Sequence, residues 1–220
     1  MGILVKICGI NSVEAADAAA RAGADFAGLV CHGASPRNLT LDAARMLAER
    51  LRGKVRLVAL TANAGDEELA SIVRAVRPDF IQLHGSETPE RAGQVRTRFD
   101  IPVIKAVAIA EAGHFANVAN FEAVADMLLF DAKPPASATR PGGHGAAFDW
   151  QLLRGRKFAR PWLLAGGLAP DNVARAIESS SAPGVDVSSG VETQPGVKNA
   201  EMIAVFVAAA RSAQFSQARA

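Results

Sequence analysis

A chain of 220 residues has the size of one domain and can bury a large core. Half of its residues are hydrophobic and its formal net charge is +2, which argues against a disordered chain and offers no global field for nucleic acid or an anionic membrane. The two cysteines, Cys8 and Cys31, form no CxxC, and neither a signal-peptide pattern nor a membrane-length apolar run is present, so a reducing, cytoplasmic setting fits best.

Along the chain, short β-rich runs alternate with Ala-rich segments of helical periodicity. "LVKICGI" precedes "SVEAADAAARAG", and "FAGLVC" precedes a loop and "TLDAARMLAERL". "VRLVALTA" leads to "DEELASIVRAV", and "DFIQLHG" to "TPERAGQVRTRF". "IPVIKAVAI" leads to "AEAGHFANVANFEAV", and "DMLLFDA" to a long Gly/Pro loop and the short "FDWQLLRG". "RPWLLAGG" leads to "PDNVARAIESS", and "GVDVSSG" to "NAEMIAVFVAAARSA". Ser12, Thr40 and the Pro170–Asp171 pair are expected helix starts, and Gly23 an expected stop.

Alternating units of this kind imply a parallel sheet with right-handed crossovers. Eight of them in 220 residues suit an α/β fold, a single-domain (β/α)8 barrel over residues 1–220, frayed after about residue 212. A doubly wound open sheet is the rival, weakened by the lack of a GxGxxG after the first strand.

Chemistry in such barrels sits at the C-terminal ends of the strands. Cys8, Cys31, His84, Asp131, Ser188 and Ser189 fall there, with Lys6, Gln82, Lys105 and Asp186 deeper. Lys6 and Cys8 share a parity and hence a face of the first strand. In a closed barrel the first and eighth strands are neighbours, so a Lys6–Asp186 ion pair is expected, either as a closure device or as support for catalysis. Gly166–Gly167 and Ser189–Gly190 end strands 7 and 8, the usual place for a phosphate held by backbone N–H groups. Arg37, stiffened by Pro36, can grip a carboxylate at the mouth or be a solvated surface residue. The segment "KPPASATRPGGHGAAF" has the length of a lid, with Gly142, Gly143 and Gly145 as points of flexibility. His32, His84 and His144 lack the spacing of a metal site, and His114 reads as a surface residue.

The run "KICGI", "AGAD", "SPRN", "QLHGSE", "LLFDAK", "LAGGLAPDNV" and "GVDVSSGVETQPGVKN" resembles the phosphoribosylanthranilate isomerase family over nearly the whole chain. The resemblance implies an Amadori rearrangement that turns an aminoaldose phosphate into an aminoketose phosphate on the path to tryptophan, without metal or cofactor. It implies Cys8 as general base, Asp131 as general acid, Arg37 on the anthranilate carboxylate, and Gly166, Gly167, Ser189 and Gly190 at the phosphate, with His84 also in the site. Lys6 and Asp186 are expected as support. The partner is then a small phosphosugar–anthranilate, with neither nucleic acid nor membrane, and the chain is a monomer or a homodimer. The alternatives are the related isomerase of histidine biosynthesis, an enzyme that serves both pathways, and a non-catalytic phosphate-binding barrel.

Overall fold

The computed structural model describes residues 2–132 and 148–217. Eight strands close one parallel barrel in chain order. They are β1 (Leu4–Cys8), β2 (Phe26–Val30), β3 (Arg56–Thr61), β4 (Phe80–Leu83), β5 (Val103–Ile109), β6 (Met127–Ala132), β7 (Trp162–Leu164) and β8 (Gly184–Val187). The seam closes between β1 and β8, with Lys6 opposite Asp186. Among the described residues, seven helices lie outside: α1 (Val13–Ala22), α2 (Leu41–Leu51), α3 (Asp66–Val76), α4 (Pro89–Phe99), α5 (Val118–Val124), α6 (Val173–Ser180) and α7 (Ala200–Gln217). The (β/α)8 architecture expected from the alternating runs is therefore the observed one.

Both faces of the strands are buried, which is why they read as apolar runs rather than as alternating ones. Residues such as Ile7, Leu29, Leu57 and Val185 face outward and pack on the helix layer. The helices meet them with alanine: Ala16, Ala19, Ala44, Ala48, Ala92 and Ala176 are fully buried, and small side chains let a helix lie close to the sheet. The opposite parity fills the barrel, with Phe26, Val58, Ile104, Met127, Leu129 and Leu163 in its interior and Cys8, Val30 and Leu60 nearer the top.

Three strand pairs share one anchor. Asp25, Asp79 and Asp126 each stand just ahead of an even-numbered strand. Their side chains accept from Val5 N at 2.7 Å, Leu57 N at 2.6 Å and Val103 N at 2.9 Å. Their own amides donate back to Val5 O, Leu57 O and Val103 O. Each aspartate thus closes a two-bond ring that fixes register at the start of an odd strand.

Ser12 and Thr40 cap α1 and α2 as expected, accepting from Ala15 N and Ala43 N. The start of α6 differs. It begins at Val173, after Asn172, rather than at Pro170–Asp171. Asn172 is spent on the preceding loop instead, accepting from Ala169 N and donating to Gly167 O, both at 2.9 Å. The fifth helix is also shorter than its sequence pattern, because a 3-10 turn at Ala112–Phe115, which contains Gly113, precedes α5. After β6 the described chain offers only a 3-10 turn, Trp150–Leu153.

Beyond β8 comes a 3-10 turn, Ser189–Val191, and then a small hairpin of β9 (Glu192–Gln194) and β10 (Val197–Lys198). Glu192 is its hub. It accepts from Arg37 Nε and Nη2, each at 2.7 Å, from Lys198 Nζ at 2.6 Å and from Gly196 N at 3.1 Å. Arg37 belongs to the loop after β2, so this cluster ties the β2 and β8 loops together over the end of β1. Gly9 makes the crossing possible: its φ is +79°, and a Cβ there would lie 2.6 Å from Arg37 Cδ.

Burial alone would raise the Glu192 carboxyl, but the Arg37 bonds and the Lys198 charge outweigh it and hold it down at about 2. A carboxyl lowered on folding contributes stability above its unfolded value, near 4.5, and loses it as pH falls toward 2. Glu192→Gln would leave two buried cations without their carboxylate and is expected to cost about 3 kcal/mol at neutral pH, measured by urea unfolding. The wild-type advantage should shrink as pH falls through that window; equal stability of the two proteins at neutral pH would rule this out.

Candidate active site

The C-terminal mouth of the barrel collects the polar side chains that the sequence places at strand ends. Cys8 closes β1 and Asp131 is the penultimate residue of β6, with His84 one residue beyond β4. Gly166–Gly167 and Ser188–Gly190 follow β7 and β8. Among the described residues, no three His, Cys, Asp or Glu side chains are grouped to hold a metal.

Below Cys8, Lys6 is fully buried and its Nζ donates to Asp186 Oδ1 at 2.8 Å. This is the pair expected across the seam. Burial would lower the lysine, yet the Asp186 carboxylate and then the Cys8 sulfur outweigh it, and Lys6 stays charged. Burial also pushes the Cys8 thiol up, against the pull of the Lys6 ammonium; Asp186 raises it further and Lys198 lowers it. The thiol is therefore neutral in the resting protein, with two ammonium groups placed to favour its thiolate. Gly28, opposite Cys8 in the register, leaves the room this needs: a Cβ there would lie 3.0 Å from Cys8 Sγ and 3.2 Å from Lys6 Nζ.

Asp131 is held from two sides. Oδ1 accepts from Ala132 N at 2.8 Å, and Oδ2 lies 3.1 Å from His84 Nε2. The other ring nitrogen of His84, Nδ1, lies 2.8 Å from Gln82 Nε2. His84 is thus brought to the carboxyl of Asp131, while Gln82, unassigned from sequence, stands directly beneath it.

The loop glycines are needed for close approach. A Cβ at Gly166 would lie 2.6 Å from Ala132 N and 3.1 Å from Asp131 Oδ1, so the β7 loop closes on the same carboxyl. A Cβ at Gly190 would lie 1.9 Å from Leu168 O, so the β7 and β8 loops touch backbone to backbone. Both candidate phosphate segments therefore belong to one wall of the mouth.

Arg37 is not a solvated arginine. It is 4% exposed, and Glu192 takes its Nε and Nη2. Nη1 makes no hydrogen bond among the described residues and remains for another acceptor. Lys105 turns away from the barrel interior. On the outer face of β5 its Nζ donates to Leu83 O at 3.2 Å, Gly85 O at 2.8 Å and Glu87 Oε2 at 2.9 Å, bracing the loop that carries His84. Cys31 packs in the outer core, where burial pushes its thiol up to about 11.

Besides Gln82, sequence reasoning left Glu192, Lys198 and Glu87 unassigned, all charged and all buried or nearly so at their side chains. Their signal was present, as single charges inside the segments "SSGVETQPGVK" and "QLHGSE", but only the fold brings their partners to them. The long segment 133–147, with Gly142, Gly143, His144 and Gly145, lies outside the described residues.

Comparison with known proteins agrees with this geometry. Residues 5–209 match the family model of N-(5'-phosphoribosyl)anthranilate isomerase. An enzyme of that name from Beijerinckia indica is 49% identical over 100% of this chain and 99% of its own length. One from Rhodopseudomonas palustris is 50% identical over 97% and 98%. The crystal structure of phosphoribosyl anthranilate isomerase from Thermotoga maritima superposes with a TM-score of 0.85 at 33% identity, covering 96% of this chain and 99% of that one. A solved complex of such an isomerase with reduced 1-(o-carboxyphenylamino)-1-deoxyribulose 5-phosphate gives 0.81 at 32% identity, again over 96% and 99%. The barrel, its mouth and these matches together make the chain a member of the N-(5'-phosphoribosyl)anthranilate isomerase family.

Proposed function

We propose that the chain converts N-(5-phosphoribosyl)anthranilate to 1-(2-carboxyphenylamino)-1-deoxyribulose 5-phosphate, with Asp131 as acid and Cys8 as base. The observation that supports these roles is that the two proton-handling side chains end β1 and β6 at one mouth, each beside a partner able to tune it. Two free thiols suit a reducing, cytoplasmic setting.

The chemistry follows from the substrate's own nitrogen. Asp131 gives a proton to the ring oxygen, the C1–O bond breaks, and the nitrogen lone pair forms a C1=N iminium. Cys8, its thiol proton first given up to solvent, acts as the thiolate and removes the proton from C2, and the C2–H electron pair flows into the iminium to give an enolamine. Tautomerisation moves a proton to C1 and leaves a ketone at C2. The nitrogen is the electron sink throughout, so the route needs neither metal nor redox cofactor.

The rest of the mouth positions the substrate. Arg37, its fork set by Glu192, offers Nη1 to the anthranilate carboxylate. The backbones of Gly166–Gly167 and Ser189–Gly190 receive the phosphate. Lys6 and Lys198 stabilise the thiolate as it forms; Asp186 outweighs burial at Lys6, while burial lowers Lys198 and Glu192 offsets that in part.

Cys8→Ala and Asp131→Asn are each expected to lower kcat/KM by about 10²–10⁴-fold with an unchanged circular dichroism spectrum. The purified proteins are assayed by loss of substrate fluorescence, and wild-type genes should restore growth of a tryptophan auxotroph lacking this step. Near-wild-type turnover in either variant would remove that residue from the chemistry. Arg37→Lys keeps a charge beside Glu192 but loses the planar fork, so it should raise KM about tenfold or more with a smaller change in kcat. An unchanged KM would take Arg37 off the anthranilate carboxylate.

A further inference from the structure

Gln82 is fully buried inside the barrel on β4, opposite Leu60 of β3 and Ile104 of β5. His84 stands two residues on, along the same face. The three side chains Gln82, His84 and Asp131 form a line, with 2.8 Å from Gln82 Nε2 to His84 Nδ1 and 3.1 Å from His84 Nε2 to Asp131 Oδ2. One atom of this line is unused: Gln82 Oε1 is buried and accepts no hydrogen bond among the described residues. A buried carbonyl without a donor costs free energy, so its place here calls for a reason.

The reason lies in the proton states of the ring. An amide N–H can donate to Nδ1 only when Nδ1 is bare, so a neutral His84 then carries its proton on Nε2 and donates it to an ionised Asp131. A His84 with two protons needs an acceptor at Nδ1. The acceptor that Gln82 can supply is Oε1, the atom now idle, and a half-turn of the amide brings it there.

We propose that Gln82 is a positioning residue for the acid: its amide turns between two settings that hold His84 with one proton or with two. In the second setting Nδ1 has taken up a proton from solvent and donates it to Gln82 Oε1, while the Nε2–H bond breaks and an O–H bond forms on Asp131 Oδ2. His84 is left neutral and Asp131 becomes the protonated acid that opens the ribose ring. Charge is conserved, and the proton that Asp131 later spends on the ring oxygen is the one received from His84. The other charged groups near this line are spoken for. Lys105 and Glu87 pair on the outer side of β4 and β5, and Lys6 pairs with Asp186 below Cys8 across the barrel. This inference rests on Asp131 being the acid.

The test separates the two. Histidine labelled with 15N reports which ring nitrogen carries the proton, and the His84 signals are identified by their loss in His84→Asn. Wild type at neutral to basic pH should show the Nε2–H form. Gln82→Glu presents only acceptors to the ring, and should move the proton to Nδ1. Gln82→Met removes both settings, and should lower kcat about tenfold to a hundredfold with KM within about twofold, while Gln82→Glu retains more of kcat. If Gln82→Met does not fold, the tautomer shift in Gln82→Glu decides alone. Identical ring-nitrogen shifts in wild type and the folded variants, or a Gln82→Met protein with unchanged kcat, would overturn the proposal. Failure of Asp131→Asn to lose activity would instead remove the acid role, with the tautomer shift still reporting the Gln82–His84 coupling.

Discussion

The ion pair between Lys6 and Asp186 is the constraint around which the site is arranged. Both groups are taken almost wholly out of water, at a desolvation cost of several kcal/mol per ion that a 2.8 Å contact repays only in part. Well-packed hydrophobic residues often serve as well in such places, so stability alone does not account for a charged pair at the β1–β8 seam. What the pair adds is a fixed ammonium within reach of the Cys8 sulfur. β2 yields space to it by carrying Gly28 opposite, and Lys198 approaches the same sulfur from the β8 side. Burial keeps the thiol neutral at rest, and the two ammonium groups offset part of the cost of forming its anion.

A second charged cluster does for the loops what the first does for the strands. Glu192 draws together Arg37 from the β2 loop and Lys198 from the hairpin, and Gly9 lets that bridge pass over the end of β1. Arg37, proposed to receive the anthranilate carboxylate, thereby passes over the end of β1, the strand that carries Cys8. On the opposite side, Lys105 and Glu87 brace the loop that carries His84, while Gly166 lets the β7 loop close on Asp131. Cys8 and Asp131 are thus each flanked by buried polar contacts rather than by apolar packing alone. Such networks are worth having only when nearly every member is satisfied, and in the line that holds Asp131 one acceptor, Gln82 Oε1, stays idle.

Much of this could be read from the letters. Alternating apolar runs and Ala-rich periods specified a parallel barrel, because each strand is buried on both faces and each helix packs through small residues. Closure of an eight-stranded barrel by itself makes β1 and β8, and so Lys6 and Asp186, neighbours. What could not be read depends on contacts distant in sequence. Nothing local in "GVETQPGVK" says that Glu192 meets Arg37. Lys105 looked like an interior lysine until the pleat turned it to the helix side. Pro170–Asp171 looked like a helix start, but α6 begins after Asn172, whose side chain the β7 loop holds. The recurrent aspartates at positions 25, 79 and 126 were invisible as a repeat because the segments around them share little else.

The most direct measurement is turnover of N-(5-phosphoribosyl)anthranilate during stepwise alkylation with iodoacetamide, with Cys8 and Cys31 followed separately by peptide mass spectrometry. If Cys8 is the base, activity falls in proportion to the fraction of Cys8 alkylated and is independent of Cys31. A reduced product analogue in the mouth slows both losses together. Full activity in protein whose Cys8 is completely alkylated would contradict the role given to this thiol, and with it the purpose assigned to the buried pair beneath it.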